Sequence, residues 1–163
     1  MNHLKGILIK LKPLRGALWL VIFMLAAWWI FVGKDYRFMR VTGQSMEPTL
    51  NDGQWMVVEK PKKNQTFDRF DMVLLKDEKE YGTMCKRIIG VAGDEILFGN
   101  GLIFINGQKL NDKIARELKT YKMFTVEAEL IVPEGHVWVI GDNRENSWHG
   151  LISIKNILGK IIL

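Results

Sequence analysis

The sequence predicts a mainly β protein, an antiparallel β-sandwich or barrel, carried behind one N-terminal transmembrane helix. Three observations predict it. An uncharged run, GALWLVIFMLAAWWIFV, occupies residues 16–32. Beyond residue 40, short β-branched and aromatic runs recur between Gly, Asn and Asp turn signals. One of them, LIFI at 102–105, meets Asn106-Gly107, a strong two-residue hairpin signal.

The uncharged run comes first. Its seventeen residues span about 26 Å as a helix, slightly short of a hydrocarbon core of about 30 Å. Snorkelling flanks and the ring pair Trp28-Trp29 near its far end make up the difference. Lys5, Lys10, Lys12 and Arg15 precede the run without an acidic residue, and Lys34, Asp35, Arg37 and Arg40 follow it. The cation excess ahead of the run favours a cytoplasmic N-terminus. The expected organisation is a basic cytoplasmic segment at 1–15, an anchor in the cytoplasmic (inner) membrane at 16–33, and an extracytoplasmic β-rich domain at 34–163. A cleaved signal peptide fits less well. The apolar stretch is long for one, and bulky Trp and Phe stand where a small-residue cleavage site belongs.

The strands follow. Residues 54–58, 71–75, 87–91, 102–105, 109–110, 130–132, 136–140 and 159–163 are expected to be extended, and only 112–123, DKIARELKTYKM, has a helical pattern. About 125 residues beyond the anchor suffice for one compact domain.

Composition narrows the function classes. The net charge of +5 lies largely in the first fifteen residues, which speaks for a membrane surface and against nucleic acid. A single cysteine, Cys85, excludes an intramolecular disulfide and a cysteine metal cluster. His3, His136 and His149 are widely spaced without a metal-ligand pattern, so no metal is expected.

Three stretches carry candidate chemistry. Ser45 stands in VTGQSMEPTL, between Gly43 and Pro48, on a tight loop just after the anchor. About a dozen residues separate Val32 from Ser45, a reach of roughly 40 Å at most, which ties that hydroxyl to the bilayer surface. Lys86 lies in TMCKRIIGV, where strand alternation sets it on an apolar face with Met84 and Ile88, and Arg87 on the other with Cys85 and Ile89. A desolvated lysine favours the neutral amine, which can take a proton from a serine; an arginine cannot. The third stretch runs from a strand into GDNRENS, a polar turn containing Asp142, Asn143 and Ser147. Singly, each also reads as ordinary structure: a turn, an edge-strand charge and a self-bonded loop.

In this order behind an anchor, the stretches resemble the type I signal peptidases. SMEPTL resembles the nucleophile box, RFDMV at 69–73 the strand where RGDIV-like sequence is usual, KRIIGVAGD at 86–94 the base box, and GDNRENS at 141–147 the final box. The resemblance covers residue 41 to the C-terminus. It implies an all-β peptidase domain without metal or cofactor, in which Ser45 attacks the scissile carbonyl and Lys86 deprotonates it. Ser147 would hold the lysine amine, with Asp142 and Asn143 in support. The partners implied are leader-bearing precursors and the lipid bilayer.

Three departures stand out. Gly43 replaces a serine that often helps bind the oxyanion, leaving more of that work to the Ser45 N–H. Ala92 replaces a frequent proline. After Ser147 the usual Asp-Ser-Arg segment is missing, and the chain goes directly to Trp148-His149-Gly150. That shortening suits relatives dedicated to pilin or conjugative-transfer precursors. It equally motivates an anchored binding module that has lost activity. His149 and Trp148 follow Ser147 closely enough to lie near the site or meet substrate, and His149 or His136 is the competing choice of base. A self-cleaving repressor shares the Ser/Lys pair, but the apolar run argues against it.

Overall fold

The computed structural model describes residues 2–76, 82–99, 102–111 and 128–162. The expected helix at 112–123 lies outside these residues. The chain divides into two units, Met1–Arg37 and Phe38–Leu163.

The first unit is the helix α1, Asn2–Gly33. It starts well before the uncharged run and continues through it. Among the described residues, no helix is long and apolar enough to cross a membrane.

The second unit is built from β-sheet. Its strands, with β1 at the junction, are β1 (Tyr36–Arg40), β2 (Trp55–Glu59), β3 (Met72–Lys76), β4 (Thr83–Gly90), β5 (Glu95–Gly99), β6 (Leu102–Ile105), β7 (Gln108–Lys109), β8 (Ala128–Ile131), β9 (His136–Ile140), β10 (His149–Ser153) and β11 (Ile157–Ile162). They form a seven-stranded sheet in the order β1-β2-β11-β3-β4-β9-β10 and a four-stranded sheet in the order β7-β6-β5-β8. The pairs β2/β11, β3/β11, β3/β4, β4/β9, β9/β10, β5/β6, β5/β8 and β6/β7 are antiparallel. The fold is therefore mainly antiparallel β. Asn106 and Gly107 both take left-handed backbone angles, φ 53° and 74°, which close the β6–β7 hairpin with the twist that two-residue turns require.

Three apolar clusters hold the unit. Ile89, Trp138 and Ile140 of the large sheet pack against Ile96, Phe98, Ile103 and Ile105 of the small one. Met46 and Leu50, from the loop after β1, pack on Met56, Val58, Leu74 and Ile161. Val73, Leu75, Ile88, Val137, Val139 and Ile157 form the third. The second cluster matters most for function. It anchors the segment carrying Ser45 at two points, Met46 and Leu50, that are almost wholly buried.

One residue works against the fold. Phe70 has φ 74°, a left-handed angle that costs a residue with a Cβ about 1–2 kcal/mol. Its carbonyl accepts a bond from Arg87 Nη1 at 2.8 Å, so the local path is held in place. Phe70→Asn, which tolerates that angle, should raise stability by up to about 1 kcal/mol, visible as a higher urea midpoint. An unchanged or lower midpoint would show that the exposed ring contributes more than the strain costs.

Candidate active site

β4 carries two cations on opposite faces. The register pairs Val73 with Lys86 and Leu75 with Met84, so Lys86 shares a face with side chains that are fully buried. Lys86 itself is 3% exposed. Burial pushes its pKa below the ordinary lysine value, against the opposing pull of Cys85 and Asp142. Its Nζ lies 2.9 Å from Ser45 Oγ.

Arg87, on the other face, is engaged by Asp142 from the end of β9. Nε meets Oδ1 at 2.8 Å and Nη2 meets Oδ2 at 2.6 Å, with Asp142 fully buried. Removing one partner of a buried, two-point pair strands the other charge. Asp142→Ala should therefore cost about 3–5 kcal/mol of stability, measured as a fall in the denaturant midpoint. A loss under about 1 kcal/mol would mean that Arg87 finds water or another acceptor.

The nucleophile segment is tied down by main-chain bonds. Val41 N–H donates to the Gln54 carbonyl and Gly53 N–H to that of Val41, both at 2.9 Å. Gly43, at φ 91°, takes an angle that disfavours a serine there, and its N–H donates to Asp52 Oδ1 at 2.8 Å. That N–H is thus committed to the loop. From the other side, Asn143 donates twice: its N–H to the Ser45 carbonyl at 3.0 Å, and Nδ2 to the Gln44 carbonyl at 3.1 Å.

The register Arg87↔Ile140, carried one step further, sets Lys86 opposite Gly141. A Cβ on Gly141 would overlap both the Ser147 hydroxyl and the Ser45 carbonyl oxygen. Gly141 is what lets the three segments converge. The Ser147 hydroxyl accepts the Gly141 N–H at 2.9 Å and donates to the Trp148 carbonyl at 3.0 Å. These two bonds of Ser147 run to main chain, and a bond to the lysine amine is not among them. The hydroxyl proton is spent on main chain, and Ser147 supports the loop beside Lys86.

Ser45 and Lys86 face a cleft of about 430 Å³, whose walls include Thr42, Gly43, Thr83 and Trp148. His149 is engaged elsewhere, edge-on to the Trp138 ring at 5.4 Å, and burial lowers its pKa. His136 Nδ1 sits 3.0 Å from the Glu134 carbonyl. Neither ring is in the position that Lys86 holds. Cys85 also borders the cleft, but burial raises its thiol to about 11, despite Lys86, which keeps it protonated and a poor nucleophile at neutral pH. Among the described residues, no group of His, Cys, Asp and Glu side chains is set to hold a metal ion.

The family model for signal peptidase, peptidase S26, matches residues 14–163. The chain belongs to the signal peptidase family. It is 32% identical to a signal peptidase I of Bacillus caldolyticus, over 93% of this chain and 91% of that protein. It is 34% identical to signal peptidase I U of Bacillus subtilis, over 90% of this chain and 82% of that one. A crystal structure of a signal peptidase I from Enterococcus faecalis shares the fold, with a TM-score of 0.50 at 24% identity, covering 59% of this chain and 97% of that one. As a signal peptidase, the chain is a hydrolase, a serine endopeptidase that removes leader peptides from precursor proteins.

Sequence reasoning missed one member of this signal peptidase site. Gly141 was visible only as the first letter of a motif, because its close approach to Ser45 is non-local.

Proposed function

We propose that this signal peptidase works through a Ser45–Lys86 dyad, from a domain tethered to the cytoplasmic membrane. The 2.9 Å approach of a buried amine to a loop-fixed hydroxyl carries the proposal. Neutral Lys86 Nζ takes the Ser45 proton as Oγ attacks the scissile carbonyl. The Ser45 N–H stabilises the oxyanion, with Gly43 N–H already bound to Asp52. The tetrahedral adduct collapses to an acyl-enzyme ester. The Lys86 ammonium returns its proton to the departing amine, which becomes the mature N-terminus. A water molecule, deprotonated by the same amine, then hydrolyses the ester and frees the leader.

The mechanism fixes the sign of the pH dependence. Only the unprotonated amine is active, so kcat/KM should rise with pH through the pKa of Lys86, with its inflection below 10.5. A rate that stays level from neutral to acidic pH would remove the lysine from the mechanism.

The tether rests on the uncharged run at 16–32 and on the basic residues ahead of it. Residues 1–15 are proposed to stay cytoplasmic, 16–33 to cross the bilayer, and 34–163 to act on the far side, where leader-bearing precursors emerge. The decisive assay offers a panel of such precursors to the full chain in proteoliposomes, with Ser45→Ala as control. Cleavage by wild type alone is expected. A wild type that cleaves none of them leaves the anchored binding module as the better reading.

A further inference from the structure

We propose that Trp148 is a specificity-determining residue whose indole receives an apolar substrate side chain close to the cut. The inference rests on the peptidase reading above.

Three segments wall the cleft: 41–46, 83–86, and a third that contributes Asn146 and Trp148. Trp148 is the one large apolar group of that third wall, and it remains 50% exposed. The ring is not loose. A Cβ on Gly150 would stand 2.7 Å from its Cζ2 and 2.9 Å from its Cη2, so the six-membered ring is seated against main chain. The Trp148 carbonyl accepts the Ser147 hydroxyl, and that hydroxyl also receives the Gly141 N–H beside Ser45. The main chain that carries the indole is thus tied to the segment beside the nucleophile.

An apolar ring seated against main chain and half open in a cleft is apolar surface left for a ligand to cover. An aliphatic or aromatic side chain covers it without losing hydration, whereas a carboxylate or an amide gains no hydrogen bond from the face of the ring. The direct run from Ser147 into Trp148-His149-Gly150 brings this ring to the cleft. Its effect falls on binding, because nothing about an indole favours the tetrahedral state over the ground state.

The test uses short soluble leader peptides in detergent, in pairs that differ only by Leu or Ser at one position, stepped along both sides of the cut. Wild type should prefer Leu at one position by about tenfold in kcat/KM. Trp148→Ala should collapse that ratio towards one, through the KM of the Leu peptide. Trp148→Phe should keep part of it. Gly150→Ala, which leaves the indole in the chain but pushes it off its seat, should mimic the alanine variant. Melting curves identify any variant that is merely misfolded. A Leu preference that survives Trp148→Ala overturns the inference. So does a wild type that prefers Lys there, as a cation–π site would, or one without any preference. An effect confined to bilayer-bound precursors would assign the ring to lipid instead. If wild type cleaves no peptide at all, the dyad itself falls first.

Discussion

Lys86→Arg will leave a charged, folded domain that cleaves no leader peptide. Arginine preserves the cation and most of the alkyl stem, but its guanidinium stays protonated at any pH an assay can reach. It cannot take the Ser45 proton, and the base is the only part of the dyad it removes. Single-turnover cleavage should fall at least about ten-thousand-fold, to the same floor as Ser45→Ala. The double variant should be no slower than either single one, since the two residues act as a unit and lose their function together. The position is tight, with Lys86 3% exposed, so Lys86→Met serves as the control for packing. It keeps the stem, removes the amine, and should be equally inactive yet melt near wild type. A Lys86→Arg variant with more than about a tenth of wild-type activity would transfer the base role to another group. His149 is poorly placed for it, being edge-on to Trp138.

How much of this was legible beforehand depends on whether the cause is local. The hairpin at Asn106-Gly107 was readable because its turn chemistry is contained in two residues. The apolar face around Lys86 was readable because strand alternation is a property of consecutive residues, and the pairing with Val73 bears that alternation out. β1 was not readable, since Arg37 and Arg40 mask an edge strand whose residues are all partly or fully exposed. β10 was hidden for a related reason. It contains His and Gly, and all five of its residues are half-buried, so no alternation marks it. Glu95–Gly99 alternates in burial but not in sequence, because exposed Leu97 stands between buried Ile96 and Phe98.

The site divides along the same line. Motif order put Ser45, Lys86 and Ser147 forward, yet a motif gives positions along the chain and not the direction of a hydroxyl. The Ser147 proton turned out to be committed to the Trp148 carbonyl. Arg87 was assigned correctly to the face opposite Lys86, but its partner Asp142 is 55 residues away and no local rule names it. Pairing across β4 and β9 is what brings base, nucleophile loop and final turn to one place, and that pairing joins segments about fifty residues apart.

Gly141→Ala tests that convergence directly, and its effect should rank next after the dyad. A methyl group at this position overlaps the Ser147 hydroxyl on one side and the Ser45 carbonyl oxygen on the other. The serine side chain can rotate away. The carbonyl belongs to main chain that Asn143 holds at 3.0 Å, so relief there means moving the loop that carries the nucleophile. A shift of about 1 Å in a reacting group costs on the order of a hundredfold in rate. The 2.9 Å contact between Lys86 and Ser45 has little length to spare. The expectation is a loss of about a hundredfold or more in kcat with a smaller rise in KM, because the 41–46 wall of the cleft moves with the nucleophile while 83–86 stays in place. Overpacking at one site should lower stability by only about 1–3 kcal/mol, so the variant should still fold. Combining it with Ser147→Ala discriminates further. If the hydroxyl is the main obstacle, the double variant recovers activity. If the main-chain carbonyl is, it recovers none, and the geometry favours the second outcome. A single Gly141→Ala variant with wild-type kcat would mean that the loop yields freely, and that the fixed approach of Ser45 to Lys86 is not what the rate depends on.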